Sequence, residues 1–257
     1  MKIVVAFKWA PNPQDAEVRP DGTVDFGRAR GAVSEYDPVA FEVARRLADA
    51  AGGEVIGLSA GDVSIDSSIA RKAALSRGLD RLVLVADPAL TGADSTTLAA
   101  VLAAAVRTVG DVDLVLAGEA SVDLAEGQVA LTLAAQLDWP GLGAVTEVGV
   151  AGGVVTIERE LPDGGQTLTL DGPAVLALTA DAVTPRIPGM KEILAAARKP
   201  VQVLALDALD VPASGVTTTV LATSRPVGNR RQVLIDGADP DAAATELVAG
   251  LRRAGAL

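Results

Sequence analysis

Short apolar runs alternate with segments of helical period through the first half of the chain, and this alternation constrains the fold most strongly. Residues 3–7 (IVVAF) are continuously apolar and rich in β-branched side chains, as in a strand buried on both faces. Strands are predicted at 3–7, 54–61, 80–87 and 112–119. Helices are predicted at 36–53, 66–78, 94–110 and 126–137. This order predicts right-handed βαβ units and a Rossmann-like α/β fold, a parallel sheet with helices on both faces.

The helix at 36–53 also shows signals for its two ends. Val39, Val43 and Leu47 recur at helical spacing between them. Asp37 stands directly before Pro38, which predicts Asp37 as the N-cap and proline at the first helical position. The glycine pair that follows residue 51 is expected to end the helix.

The pattern changes in the second half of the chain. Residues 153–172 contain two runs of period two around a Pro-Asp-Gly-Gly turn, which predicts a β-hairpin insertion. A buried strand is predicted at 174–181, and 201–209 ends the compact part, so that residues 1–209 form an α/β nucleotide-binding domain. Residues 210–236 lack helical period, and a helix is predicted at 239–253. We expect residues 210–257 to form a C-terminal arm that packs on another protein.

Composition excludes several classes of function. The chain has no Cys and no His, so we expect no thiolate nucleophile, no imidazole base and no zinc site of ordinary type. A formal net charge of -11 argues against a nucleic-acid partner, since phosphates are bound mainly by Lys and Arg. The first apolar run is too short for a signal peptide, and no stretch is apolar enough to span a bilayer. A cytoplasmic protein without membrane insertion is predicted.

The loops that follow the strands are the candidate ligand site, because open α/β sheets bind ligands at the carboxyl ends of their strands. The most informative loop is 117–130 (AGEASVDLAEGQVA). Gly118 allows close backbone approach, and the amides near Gly127, Gln128 and Val129 enter a helix where they are placed to hold a phosphate. The alternative is an ordinary βα loop, which the spacing alone slightly favours. No Walker A or GxGxxG motif is present, and an acid/base role for Asp123 with Glu126 is not supported.

Residues 186–200 (RIPGMKEILAAARKP) are basic in an acidic chain. Ile187 and Met190 flank a Pro-Gly pair in a segment too polar to be core. Methionine suits surfaces that adapt to more than one partner, which favours a docking role. The alternative, a surface loop followed by a short amphipathic helix, is equally compatible with the pattern.

Several motifs, taken in order, resemble the β subunit of electron transfer flavoproteins. The match runs from Met1 to about Leu209 and more weakly beyond. It rests on KIVVAFK near the start, EYDPVAFEVARRL at 35–47, AALSRGLDR at 73–81, GEASVDLAEGQV at 118–129, LDWP at 137–140, IERELPDGG at 157–165 and PRIPGMKEILAAARKP at 185–200. No single motif is decisive, but their common order is specific.

The resemblance implies a subunit of a heterodimeric electron carrier, with no bond-making chemistry of its own. Its partners would be an α subunit that shares the redox FAD and flavin dehydrogenases that donate electrons. The β subunit itself would hold AMP, or a second FAD in electron-bifurcating members, mainly through backbone groups. The implied nucleotide residues are Ala6, Ser34, Tyr36, Asp37, Ala60, Gly118, Glu119, Ala120, Ser121, Val122, Asp123, Gly127, Gln128 and Val129.

The resemblance also identifies 186–200 as the loop that docks the donor dehydrogenases. The implied docking residues are Arg186, Ile187, Pro188, Gly189, Met190, Lys191, Ile193 and Leu194. Met190 stands at the anchoring position that the family usually fills with Leu. We expect Met190 to be exposed on a loop between proline-defined stems, with Lys191, Arg198 and Lys199 near its rim or in the following helix.

Departures from the family pattern leave some alternatives open. Ser34 and Glu35 replace the usual Asn-Pro, Leu124 and Ala125 alter the nucleotide loop, and Asp181 and Val183 stand where Arg and Asn are usual. Whether AMP, FAD or no nucleotide is bound, and which dehydrogenases dock, therefore stays open. The rival function is a nucleotide-binding regulatory module of stress-protein type without redox activity. An ATP-using ligase of similar fold is a third alternative, disfavoured by the missing phosphate-binding motif.

Overall fold

A computed structural model of the chain describes residues 1–212, 218–219, 221–222, 224, 226, 228 and 232–257. Its β-strands are β1 (Lys2–Ala6), β2 (Trp9–Pro11), β3 (Glu17–Val18), β4 (Val24–Asp25), β5 (Gly31–Val33), β6 (Glu54–Gly61), β7 (Arg81–Ala86), β8 (Leu114–Gly118), β9 (Gly141–Ala151), β10 (Val154–Leu161), β11 (Gly164–Leu170), β12 (Ala174–Leu178) and β13 (Val201–Val203). Its α-helices are α1 (Asp37–Ala51), α2 (Ser68–Leu75), α3 (Ser95–Val109), α4 (Val129–Leu137), α5 (Met190–Ala196) and α6 (Pro240–Arg253). Every strand and helix for which a residue range was predicted is present, and most begin and end within a few residues of the predicted bounds.

The central sheet has nine strands in the order β11-β10-β9-β12-β8-β1-β6-β7-β13. β1 lies in its middle and pairs in parallel with β6 and β8, which brings Ile3 opposite Val55 and Leu114. Ile3, Val4 and Val5 are fully buried. Burial on both faces of this strand agrees with its uninterrupted apolar sequence.

Helices cover both faces of the sheet. Ile3 and Val5 of β1 face a core that α1 and α2 complete. Val4 and Ala6 face the opposite core, which α3 and α4 complete. Successive side chains of a strand point to opposite faces, so one apolar run serves both cores. The predicted α/β fold with helices on both faces is confirmed.

The hairpin insertion extends the sheet at one edge. β10 and β11 pair antiparallel, with Glu160 opposite Gly165, as the period-two runs predict. β9 (GLGAVTEVGVA) was not predicted from the sequence. It pairs in parallel with β12 and antiparallel with β10, and it therefore joins the hairpin to the parallel strands.

The prediction that Asp37 caps α1 is wrong. Tyr36 is the N-cap residue and makes no side-chain capping bond, and Asp37 is the first residue of the helix. The Asp37 carboxylate instead accepts a hydrogen bond from the backbone N–H of Lys8, at 2.7 Å. A side chain that reaches the end of β1 is not available to cap its own helix.

The chain divides into two compact units, Met1–Thr223 and Ser224–Leu257. In the first unit, Leu206, Leu209 and Val211 pack against the core that α3 and α4 complete. In the second unit, α6 begins after Asp239, whose carboxylate caps it, and the predicted C-terminal helix is confirmed. The predicted irregular connection at 210–236 lies partly outside the described residues. The division at 209 and the packing of the arm on a partner stay predictions.

Among the described residues, no helix combines the length and the apolar character needed to cross a bilayer.

Candidate functional site

A cleft opens at the carboxyl ends of β1 and β8. The chain runs from β1 to β6 and β7 on one side, and it then returns to β8 on the other side of β1. Ligands of open α/β sheets bind where the strand order reverses in this way. The cleft encloses about 800 Å³ of empty space, part of it open to solvent.

The structure brings most of the predicted nucleotide residues to this cleft. Those that line it are Ala6, Asp37, Gly118, Glu119, Ala120, Ser121, Gly127, Gln128 and Val129. Those that do not line it are Ser34, Tyr36, Ala60, Val122 and Asp123. Ala60 ends up at the neighbouring strand β6, packed against the core under α3 and α4.

Three other predicted residues do not line the cleft but make hydrogen bonds that fix the loops around it. Ser34 is fully buried, and its Oγ accepts a hydrogen bond of 3.1 Å from the backbone N–H of Val122. Asp123 accepts a hydrogen bond of 2.8 Å from Nζ of Lys8. Burial acts to raise the pKa of Asp123, but hydrogen bonds from Lys8 and Ser121 outweigh it and leave that pKa below its usual value. These contacts tie the loop after β8 to the end of β1 and to the segment before α1.

Gly118 is required by a close approach between β8 and the start of α1. A Cβ at this position would lie 2.7 Å from the backbone carbon and oxygen of Tyr36, and 2.9 Å from Oδ1 of Asp37. Backbone atoms cannot move aside as a flexible side chain can. The sequence correctly identified a tight approach at Gly118, but the approaching group is the protein's own backbone.

Asp37 forms the buried corner where β1, β8 and α1 meet. The backbone N–H groups of Lys8 and Gly118 both stabilise its carboxylate, as do the charges of Lys8 and Arg77. Burial outweighs these effects and raises the pKa of Asp37 to about 7. The carboxyl group therefore titrates near neutral pH at the edge of the cleft.

The amino end of α4 presents backbone donors to the cleft. Gln128 is the N-cap residue but makes no side-chain capping bond. By contrast, side chains of Ser67, Asp94 and Asp239 cap α2, α3 and α6. Gly127 has a φ of 63°, in the left-handed region that favours glycine, and this turn leads the chain into α4 beside the cleft. The first amides of α4 are thus available to an anion.

Several lining residues were missed by the sequence analysis. Lys8 lies two residues after the end of β1 and is the one cation among the described residues that line the cleft. Ser95 begins α3, and its hydroxyl hydrogen-bonds the carboxylate of Glu126. Among the apolar lining residues, Ala117 and Leu124 belong to the predicted loop 117–130 and Phe7 to the loop after the first strand, whereas Leu98, Leu102 and Leu133 were missed. The sequence contained one signal for these residues: α3 and α4 both follow predicted parallel strands, so both helices begin at the edge of the sheet where the ligand site was expected.

The lining suits a ligand with an apolar ring and a charged end. Apolar side chains dominate its surface, while backbone amides of α4 and the Lys8 ammonium supply the positive potential. Glu119 and Glu126 add negative charge, and the Lys8 ammonium is already paired with Asp123, so the amides of α4 are the main groups left to hold a phosphate. Within the described residues no group of acidic side chains is arranged to bind a metal ion.

The 186–200 segment lies on the same edge of the sheet but outside the cleft. Ile187, Met190 and Leu194 are 92%, 72% and 67% exposed, so the predicted exposure of Met190 is confirmed. Met190 begins α5 after the N-cap Gly189, however, and does not stand on a loop. Pro188 and Ile193 are half-buried, and Lys191 is exposed.

Both ends of this segment are fixed to the body of the protein. Arg186 donates from Nε to Glu42 of α1, at 2.7 Å. The Arg186 hydrogen bonds lower the pKa of Glu42 to about 2, despite an opposing effect of burial. Lys199 was expected near the rim or in the following helix, but it lies beyond the end of α5, and its Nζ donates to the backbone oxygens of Leu75, at 3.1 Å, and Leu79, at 2.5 Å. Lys199 is therefore a structural anchor.

A family model described as the electron transfer flavoprotein domain matches residues 21–209. This range is most of the chain and contains α1 to α5, the loop after β8 and the 186–200 segment.

Proposed function

The chain belongs to the electron transfer flavoprotein family, and we propose that it is the β subunit of a heterodimeric electron carrier. In this proposal an α subunit shares the redox FAD with it, and flavin dehydrogenases reduce the heterodimer in the cytoplasm. The chain itself makes and breaks no bonds. Its roles are to bind a nucleotide, to complete the environment of the flavin and to dock the donor.

The observation that carries the proposal is the fixed, exposed segment at 186–200. A regulatory nucleotide-binding module has no need of an apolar tip held at both ends. Here Arg186 and Lys199 fix the segment, and Ile187, Met190 and Leu194 stand in solvent between them. Exposed apolar groups on a fixed frame are typical of a surface that binds another protein.

The cleft supports an adenine nucleotide as the bound ligand. In the proposal the apolar side chains Leu98 and Leu102 contact the adenine ring. The amides near Gln128 then hold the phosphate, beside the Lys8 ammonium that is paired with Asp123. If the ligand is AMP, the cleft has a purely structural role, whereas a second FAD would supply reversible electron transfer there.

Co-expression with the α subunit tests the proposal. The chain alone should be colourless, and the heterodimer should be yellow and be reduced by a flavin dehydrogenase with its substrate. Nucleotides released by denaturing the heterodimer should include AMP, or FAD beyond one equivalent. A colourless homodimer with no affinity for the α subunit would refute the carrier and favour a regulatory module. A yellow heterodimer without the extra nucleotide would refute only the role of the cleft.

A further inference from the structure

We infer that the donor-docking surface extends from α5 onto α2, with Ile69 as a second apolar contact beside Met190. The partner it fits is a dehydrogenase face with an apolar pocket rimmed by carboxylates. Two groups of exposed side chains form this surface, which we call the two-helix surface. They are Ile69 and Lys72 of α2, and Ile187, Met190, Lys191, Leu194 and Arg198 of the docking segment. The inference rests on the proposed function.

Topology places the starts of α2 and α5 at the same edge of the sheet. α2 leaves the carboxyl end of β6 and returns the chain to β7, while α5 follows β12 and returns it to β13. β7 and β13 are neighbours and parallel, so the two helices run in the same direction. They also pack against each other.

Lys199 fixes the relation between the two helices. It follows α5 by three residues, and its ammonium binds the backbone oxygens of Leu75 and Leu79, at the end of α2 and just beyond it. The carboxyl ends of the helices are therefore joined. Their amino ends, which carry Ile69 and Met190, both begin at the edge of the sheet where the cleft also opens.

Exposure on α2 follows from its amphipathic sequence. Ala70, Ala74 and Leu75 are buried, and they occupy the face that packs on the sheet. Ile69 is 71% exposed, as much as Met190. Lys72 lies one turn after Ile69, so the two side chains share the outer face. An isolated exposed Ile needs no explanation, but Ile69 joins three exposed apolar side chains on the neighbouring segment.

Charge identifies the kind of partner. Within the described residues, no salt bridge involves Lys72, Lys191 or Arg198 of the two-helix surface, whereas Arg71 of α2 and Arg186 of the docking segment are paired. The chain as a whole is acidic, with a net charge of -11, so a local group of unpaired cations stands out. Glu192 is the one acidic side chain in α5. A partner with carboxylates around an apolar pocket is complementary to this pattern.

Substitution of Ile69 in the heterodimer tests the inference. Ile69→Ala should raise the KM for the carrier in a dehydrogenase-coupled assay by about threefold to tenfold, the usual size of one buried apolar contact. Flavin content and the melting temperature should not change, because Ile69 is exposed. Val18→Ala is the matched control, since Val18 is an exposed apolar residue of β3. Lys72→Gln should reduce the salt dependence of kcat/KM.

The outcomes separate this inference from the proposed function. If Met190→Ala raises the KM and Ile69→Ala leaves it unchanged, docking is confined to 186–200 and the inference is wrong. If Ile69→Ala instead prevents assembly with the α subunit, α2 belongs to the heterodimer interface and the inference is also wrong. If no flavin dehydrogenase reduces the wild-type heterodimer, the proposed function itself fails. A raised KM for both variants, with a normal control, supports both.

Discussion

Asp37 is the residue whose environment departs most from that of a typical surface carboxylate. Its pKa in the folded protein is about 7, above the ordinary aspartate value of 3.8, because burial disfavours its charged form. Between these values the folded state holds a proton that the unfolded chain has released. The contribution of Asp37 to stability should therefore fall as the pH rises from about 4 to about 7.

Asp37→Asn removes this titration while it keeps one oxygen that accepts from a backbone N–H. Between pH 5 and pH 8 the melting temperature of the wild type should fall by several degrees more than that of the variant. Thermal unfolding at both pH values measures it. Asp113→Asn is the matched control, because Asp113 accepts the backbone N–H of Lys2 at the opposite end of β1 but is exposed. Parallel profiles for wild type and Asp37→Asn would contradict the raised pKa.

Met190 is the residue on which donor docking should depend most. Met190→Ala removes a flexible apolar side chain from the expected centre of the contact, where truncation commonly costs about 1–2 kcal/mol. The KM for the carrier should rise roughly tenfold. Met190→Leu, which restores the family's usual residue, should stay close to wild type.

Flavin content and melting temperature should be the same in both Met190 variants, since the side chain is 72% exposed. A variant that unfolds or loses flavin, yet couples normally per folded molecule, would make Met190 a structural residue instead.

At the scale of elements, the sequence predicted most where apolar periodicity is strong. β1, β7 and β8 consist almost entirely of apolar residues, β6 keeps Val55, Ile56 and Leu58, and each of the four strands was found. β9 was missed because glycine and polar residues interrupt its apolar pattern, and its pairing with β12 depends on contacts far along the chain. Asp37 was misassigned as a cap because local sequence does not reveal that β1 ends beside it.

The candidate site shows the same division between local and distant information. The loop 118–129 was predicted because glycine and a helix start lie within one short stretch. Ser95, Leu98 and Leu133 were missed because they reach the cleft only through the packing of α3 and α4 on the sheet. The wall contacts of Ser34 and Lys8 span residues far apart in sequence, and no local pattern marks them.

α6 is the element whose role should depend on a partner. It has no buried residue, and Leu247, Val248 and Leu251 are all exposed. Deletion of residues 240–257 should leave the melting temperature of the isolated chain nearly unchanged, because little apolar area is lost from its cores. The same deletion should sharply reduce co-purification with the α subunit. A large loss of stability in the isolated chain would show that α6 is part of this chain's own fold.

At the scale of the whole molecule, the net charge and the local charge of the docking surface should have opposite effects on the rate of donor binding. The chain carries a net charge of -11, so its overall field should repel an acidic dehydrogenase. The two-helix surface presents Lys72, Lys191 and Arg198 instead, and the nearest charges dominate when the proteins are within about 10 Å, the screening length at 0.1 M salt.

Salt therefore distinguishes which field guides docking. If net charge dominates, added salt screens the repulsion, and the rate constant for reduction by an acidic dehydrogenase should rise. If the two-helix surface dominates, added salt screens the attraction, and the rate constant should fall. We expect a fall between about 0.02 M and 0.3 M salt, and Lys191→Gln should make it shallower. Lys2→Gln, at the amino end of β1 and thus the opposite edge of the sheet, changes the net charge equally but should leave the slope unchanged. A rate constant that rises with salt in the wild-type heterodimer would show that the cations of the two-helix surface do not steer the donor.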